Sequence, residues 1–309
     1  MSDHPYEYLA AAAANHSSAQ GEAKSGGESA RGSHRLASVR ECPRYWWLRY
    51  GQNVRRVGGQ SEKPYLLVGT LVHLRLAYYY AAKMETVPEP FCTVPLEEAV
   101  LDIATGHPDL IDQSKGIFDA YVKLDGYSTW IPTHVEQEFT ATLKQLDPDG
   151  PDHTLNDEVV TCRTDLIVQN QGKLWIVDHK TVGGGWSKSL PRWIQENNDY
   201  AIPWQAMVYL HVVRQELPIA GLIINRLRRV EPYDFDRHVL EIPPMAYVQA
   251  PRAMREAIRL ETEITFNAQQ GVMPVPNLAA CYKRYGQCDY IRVCAAQTKE
   301  EQIRLLGGD

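Results

Sequence analysis

Asp178 and Lys180 stand one residue apart at the end of an apolar run, Leu174-Trp175-Ile176-Val177, and twelve residues separate Asp165 from Asp178. Alternation along a strand sends Asp178 and Lys180 to one face and His179 to the other. An upstream strand from Val159 to Val168, with a turn at Asn170-Gln171-Gly172, would fold back on that run and set Asp165 beside Asp178. Adjacent carboxylates repel unless a cation sits between them, and hard divalent ions such as magnesium suit an all-oxygen site. Lys180 would add a positive charge and donors for an anion or a water. The plainer alternatives are an Asp178–Lys180 ion pair on an edge strand, and Asp165 as a strand-end turn residue. The apolar residues ahead of Asp178 and the matching register weigh against both.

The elements that must position these residues follow from the pattern of the chain. Residues 1–34 are rich in Ala, Ser, Gly and His and read as a disordered tail, leaving 35–309 as a single domain. Ser38 and Glu41 resemble a capping box opening a helix at Cys42. A helix from Pro64 to Met84 carries His73, which by itself is as well explained as a core histidine. Leu96–Thr105 and Asp109–Leu124 read as helices. Val135–Leu143 alternates as a strand, with Glu136 and Glu138 on the same face. The glycine triplet Gly183–Gly185 opens a flexible segment to about Asn198. It lacks the Gly-Lys-Ser/Thr ending of a nucleotide-binding loop. Gln205 and Tyr209 share a helical face, and packing alone would account for Tyr209. Strands at Ile219–Leu227 and Val239–Ile242, a helix over Met245–Gln270, and a tail after Pro276 complete an α/β arrangement: a mixed central sheet flanked by helices.

Composition sets bounds. A 44% apolar fraction and seven tryptophans can build a sizeable core. No signal peptide or long apolar run is present, so the expectation is a cytoplasmic protein without a membrane span. Disulfides are then disfavoured, and the cysteines that cluster in the tail, Cys281, Cys288 and Cys294, together with Cys42 far upstream, suggest metal. Cys92 and Cys162 read as ordinary small apolar residues. A formal charge of -6 argues against a generic nucleic-acid binder. However, six arginines against one acid lie between Arg35 and Arg56, interleaved with Tyr45, Trp46, Trp47 and Tyr50. Arg44 and Arg49, with Arg228 from a second cluster (Arg226, Arg228, Arg229), are candidates for a single strand, where phosphates need cations and bases need flat partners. Trp46 and Trp47 read as packed inward.

These features resemble the PD-(D/E)XK nuclease superfamily, in which an Asp, then Asp or Glu, then x-Lys form the metal site. Gln205 and Tyr209 match the Gln-xxx-Tyr motif of its RecB-like branch, and Gly69-Thr70-Leu71-Val72-His73 matches that branch's Gly-xxx-His helix. The resemblance implies a restriction-endonuclease-like core and a Mg2+- or Mn2+-dependent deoxyribonuclease, an exonuclease on single-stranded or frayed DNA. The implied ligands are His73, Asp165, Asp178, the His179 backbone carbonyl and a glutamate, with Glu136 favoured over Glu138 by the Glu-x-x-Phe pattern. Lys180 would orient the attacking water, and Gln205 and Tyr209 would steady the phosphate. One cysteine before the core and three after it resemble the 4Fe-4S staple of the AddB-like and CRISPR-associated RecB-like exonucleases, here joining 35–60 to 275–296. Zinc on the four thiolates is the alternative. Helicase, recombination or CRISPR proteins are the implied partners, in a bacterial, archaeal or phage-infected cell. Two rivals stand beside this reading: a nuclease fold that binds DNA without cutting, and a cysteine hydrolase using Cys162, for which the chain has no nucleophile motif.

Overall fold

The computed structural model describes residues 30–54, 64–125, 128–183, 204–283 and 286–306. Most of the expected N-terminal tail, Arg55 and Arg56, and the segment from Gly184 to Pro203 lie outside the described residues. The chain forms two compact units, one of Met1–Ser61, Thr142–Val160 and Ala250–Asp309, the other of Glu62–Ala141 and Thr161–Gln249.

The second unit holds the sheet. Its described elements are α3 (Pro64–Ala81), α4 (Leu96–Ile103), α5 (Pro108–Asp125), β1 (Ile131–Thr142, up to Ala141), β2 (Val159–Asn170, from Thr161 onward), β3 (Lys173–Val182), α7 (Trp204–Val213), β4 (Ile219–Arg228) and β5 (Phe235–Val239). The strands lie in the order β1-β2-β3-β4-β5. β2 and β3 are an antiparallel hairpin, β4 runs parallel to β3, and β5 returns antiparallel to β4. Asn170 pairs with Lys173, so the turn has two central residues, Gln171 (φ 50°) and Gly172 (φ 74°). Both are left-handed, as the tight hairpin turn matching strand twist requires. The final strand is displaced from expectation. It spans Phe235–Val239 rather than Val239–Ile242, because Asp236 is drawn to the Arg226 guanidinium (Nε–Oδ1 3.0 Å) on β4.

Helices cover both faces. α3 buries Leu67, Val68, Leu71, Val72 and Leu76, an i, i+4 stripe, against Leu166, Val168, Val177, Ile223 and Leu227 of the sheet. Each such fully buried side chain contributes about 1.5–3 kcal/mol. α5 adds Ile117 and Tyr121 to the same layer. α7 lies on the opposite face, where Gln205 meets Lys180.

The first unit contains α1 (Ser33–Glu41), α2 (Pro43–Trp46), α6 (Leu143–Leu146), α8 (Pro244–Gln269, from Ala250 onward), α9 (Ile291–Ala295) and α10 (Lys299–Leu305). Glu261, 2% exposed, is the hub: it accepts from Arg31, Arg35 and the Trp46 indole. α1 therefore begins at Ser33, two residues inside the expected tail, because Arg31 is already tied down. Ser38 does not cap a helix at Cys42. It sits within α1, donating to the Arg35 carbonyl (2.7 Å), while Cys42 separates α1 from α2. Trp46 and Trp47 are buried.

Candidate active site

The hairpin register that pairs Leu166 with Val177 brings Asp165 level with Asp178. The Asp165 Oδ2 accepts the His179 backbone N–H at 2.7 Å, which ties the two strands at the acids. His73, from α3, points its Nδ1 at the same Oδ2 at 3.5 Å. Gly69 makes that reach possible. A Cβ there would stand 2.8 Å from the Thr181 Oγ1, so only glycine lets α3 lie this close to β3.

On the other side of Asp178 a chain of donors is fixed by charge. Lys180 Nζ lies 2.8 Å from Asp178 Oδ2 and 3.0 Å from Gln205 Oε1. An ammonium only donates, so Gln205 must present its oxygen to Lys180 and its Nε2 to the Tyr209 hydroxyl, 2.8 Å away. Gln205 thus aims the lysine, where the sequence suggested a phosphate contact.

Glu136 and Glu138 do not share a face. Glu136 has φ 49°, in the left-handed region that a glutamate seldom adopts. The Thr133 hydroxyl bonds the Ile167 carbonyl, and the Thr164 hydroxyl bonds the Gln137 carbonyl. The β1 stretch between these contacts is one residue longer than the β2 stretch, which is a bulge. The bulge turns Glu136 toward Asp165 and leaves Glu138 exposed beside Arg163 (3.4 Å).

The carboxyl groups here are shifted by burial and by one another. Burial, then the Asp165 charge, raises the Glu136 carboxyl to about 8. Burial raises Asp178 too; Lys180 pulls it back and Asp165 adds to the rise. The Tyr209 hydroxyl is held far above its ordinary range by burial and by both aspartates. Carboxylate oxygens are the donors that a hard divalent ion takes. Among the described residues, no three His, Cys, Asp or Glu side chains stand close enough to hold a metal as they are.

A family model for the PD-(D/E)XK nuclease superfamily matches residues 33–295. The chain belongs to the PD-(D/E)XK nuclease superfamily. Its mixed five-stranded sheet flanked by helices is the restriction-endonuclease-like α/β fold of that superfamily, whose nucleases generally use Mg2+ or Mn2+. Among solved structures, a putative exonuclease from Eubacterium rectale is 14% identical, with 96% of this chain and 93% of that chain covered and a TM-score of 0.47. The crystal structure of SSO0001 is 14% identical over 76% of this chain and 89% of that one, with a TM-score of 0.28. No curated protein matches the chain.

Other expected residues lie elsewhere. Cys42, Cys281, Cys288 and Cys294 belong to the first unit. Burial raises the Cys288 thiol, and raises Cys294 to about 11; Cys42 and Cys281 are near enough to push both upward. The Asn277 backbone N–H donates to the Cys42 sulfur at 3.4 Å. Arg44 donates to the Pro274 carbonyl (2.8 Å), and Arg49 lies by Tyr45 and Tyr290. Arg228 is 1% exposed, so it cannot offer its guanidinium to a strand; β4 carries it into the interior. Cys162 is fully buried and its thiol is held well above the ordinary range, first by burial, which makes it inert. Among the described residues no helix is long and apolar enough to cross a membrane. Sequence reasoning missed Asn225. Its only signal was a polar residue inside the apolar run Leu222-Ile223-Ile224.

Proposed function

We propose that this chain is a divalent-metal-dependent deoxyribonuclease that hydrolyses phosphodiester bonds, acting as an exonuclease on single-stranded or frayed DNA ends. The observation that carries this is the pairing of Asp165 with Asp178 across the hairpin, with His73 3.5 Å from Asp165 and Lys180 bracketed by Asp178 and Gln205.

Asp165, Asp178, Glu136 and His73 would hold the ion, which supplies Lewis acidity and a lowered water pKa when bound. The remaining work belongs to the chain's own groups. Lys180, held beside Asp178, directs its N–H bonds at the attacking water and at the negative charge that builds on the phosphoryl oxygens. Gln205 prevents the flexible four-carbon stem from swinging the amine away. Tyr209, accepting from Gln205, stays protonated under burial and can donate to a phosphate oxygen.

Cys42, Cys281, Cys288 and Cys294 lie within electrostatic reach of one another; burial keeps Cys288 and Cys294 protonated, so a metal bound there would have to displace their protons. The order of one cysteine before the core and three after it favours a 4Fe-4S cluster tying 35–60 to 275–296, although the gap between Cys281 and Cys288 is wider than that family's usual one; zinc is the alternative, and an absorption spectrum of anaerobically purified protein separates them. Helicase or recombination proteins, or the CRISPR machinery, are the partners consistent with this class of nuclease.

The test is digestion of end-labelled single- and double-stranded DNA with Mg2+ or Mn2+, with EDTA and an Asp178→Asn variant as controls. Metal-dependent loss of terminal nucleotides that both controls abolish is expected. Cleavage that survives EDTA would remove the metal from the mechanism, and no cleavage by the wild type with either ion would leave a binding module.

A further inference from the structure

His179 lies between the two residues of the Asp178–Lys180 pair, but its side chain faces the opposite side of the sheet. There it is 2% exposed and held on every side. Its ring stacks on Tyr80 (6.0 Å, 18°) and meets Tyr121 and His73 edge-on, at 6.3 Å and 6.1 Å. Its Nδ1 lies 2.8 Å from the amide nitrogen of Asn225, its direct neighbour on β4.

The direction of every proton in this cluster can be worked out. Arg237, opposite Asn225 on β5, donates to Asp125 and to the Tyr121 hydroxyl (3.0 Å). Asn225 Nδ2 also donates to the Tyr121 hydroxyl, at 3.1 Å. Tyr121 therefore passes its own proton to Tyr80, and Tyr80 donates to Asp125 Oδ2 at 3.2 Å. The donors run toward the buried Asp125 carboxylate, and this fixes the Asn225 amide with its nitrogen toward Tyr121 and His179. His179 Nδ1 must accept, so the ring proton sits on Nε2. That atom has no partner among the described residues. A buried donor left unsatisfied is a mark of a ring placed for something other than its own bonding.

What the ring placement controls is the peptide. The His179 N–H is the group that grips Asp165 Oδ2, and the residues on either side of it are Asp178 and Lys180. The packed and hydrogen-bonded ring anchors the His179 Cα, and a Cα held in place restrains the peptides on both sides of it. We propose that Asn225 is a positioning residue: acting through the His179 ring from the far face of the sheet, it sets the peptide that holds Asp165, Asp178 and Lys180 in register. The proposal deepens the nuclease reading above and rests on it for its kinetic arm only.

The kinetic arm is a double-mutant cycle. Asn225→Leu removes the amide at nearly constant volume, and His179→Phe keeps a stacked ring without Nδ1. Each should lower kcat about 10–100-fold with KM for DNA little changed. The double variant should fall no further than the worse single one, because Asn225 acts through His179. Losses that multiply, or a change confined to KM, overturn the proposal. The second arm needs neither metal nor DNA. Nitrogen-15 imidazole shifts of the wild type should show His179 protonated at Nε2, and hydrogen exchange of the His179 amide should quicken about tenfold or more in Asn225→Leu while the Val177 amide is unchanged. A ring protonated at Nδ1, or unaltered exchange in a folded variant, overturns the proposal even if the enzyme is active. A wild type that cleaves nothing sinks the nuclease reading, and the second arm still decides this one.

Discussion

Lys180 is a point charge on a flexible stem, and Asp178 and Gln205 are acceptors that help set its direction. Lys180→Met should lower cleavage about 10²–10⁴-fold while metal affinity, read by titration calorimetry, stays near wild type. Lys180→Arg should not restore activity, because a planar fork cannot meet both acceptors along the same directions. A near-normal rate in either variant removes Lys180 from the chemistry. The two glutamates of β1 divide just as sharply. Glu136→Gln should weaken metal binding and cleavage together, since it deletes a charge that already feels Asp165. Glu138→Gln deletes only a surface pair with Arg163 and should leave both within about twofold. This distinction was not legible in the sequence. Strict alternation puts both glutamates on one side, and the extra residue that separates them leaves no trace in composition. Asp165, Asp178 and Lys180 were legible because an apolar run, a Gln-Gly turn and a register of known length place them without further information.

At the scale of elements, the hairpin was readable because its interactions are local, whereas the row His179–Asn225–Arg237 was not. That row needs β4, some forty residues downstream of β3, to lie parallel beside it, and no local pattern announces which residue faces which. The same reasoning covers Arg228, whose place at the end of an apolar strand suggested exposure and whose strand is buried instead. The approach of α3 to β3 is a contact of this second kind, and it yields a test. Gly69→Ala sets a methyl against the Thr181 hydroxyl, and the restricted χ1 of a β-branched side chain makes it costly for Thr181 to withdraw. α3 must then shift, carrying His73 away from Asp165. Cleavage should drop about tenfold or more, since a misplacement on the order of 1 Å can cost as much as 100-fold. Gly69→Ala combined with Thr181→Ala should recover most of the loss. Failure of the second change to rescue would mean that the loss does not come from the spacing of the two elements.

For the whole molecule, the acids that serve the site work against the fold when no cation is bound. Glu136 and Asp178 have folded-state pKa values above those of an unfolded chain. Groups shifted this way give stability that is full below the unfolded pKa and is lost as pH rises through the folded value. His179 is shifted the other way, to about 3 by burial, so it costs stability as pH falls below the ordinary histidine range near 6.5. The two effects oppose each other only in acid. Between pH 8 and about 6.5 the Glu136 carboxyl is the one of these groups that titrates, and protein in EDTA should melt at a higher temperature as pH is lowered through that window. Saturating Mg2+ should reverse the balance at pH 8, by about 2.7 kcal/mol at a hundredfold excess over Kd, and this gain should shrink as protons compete for the same oxygens. Glu136→Gln separates the site from the rest of the protein's titration. It should flatten the metal-free slope between pH 8 and 6.5 and reduce the Mg2+ gain in parallel. A variant that keeps the full slope would place the pH dependence in groups outside the acid cluster, and the strain attributed to these carboxylates would have to be abandoned.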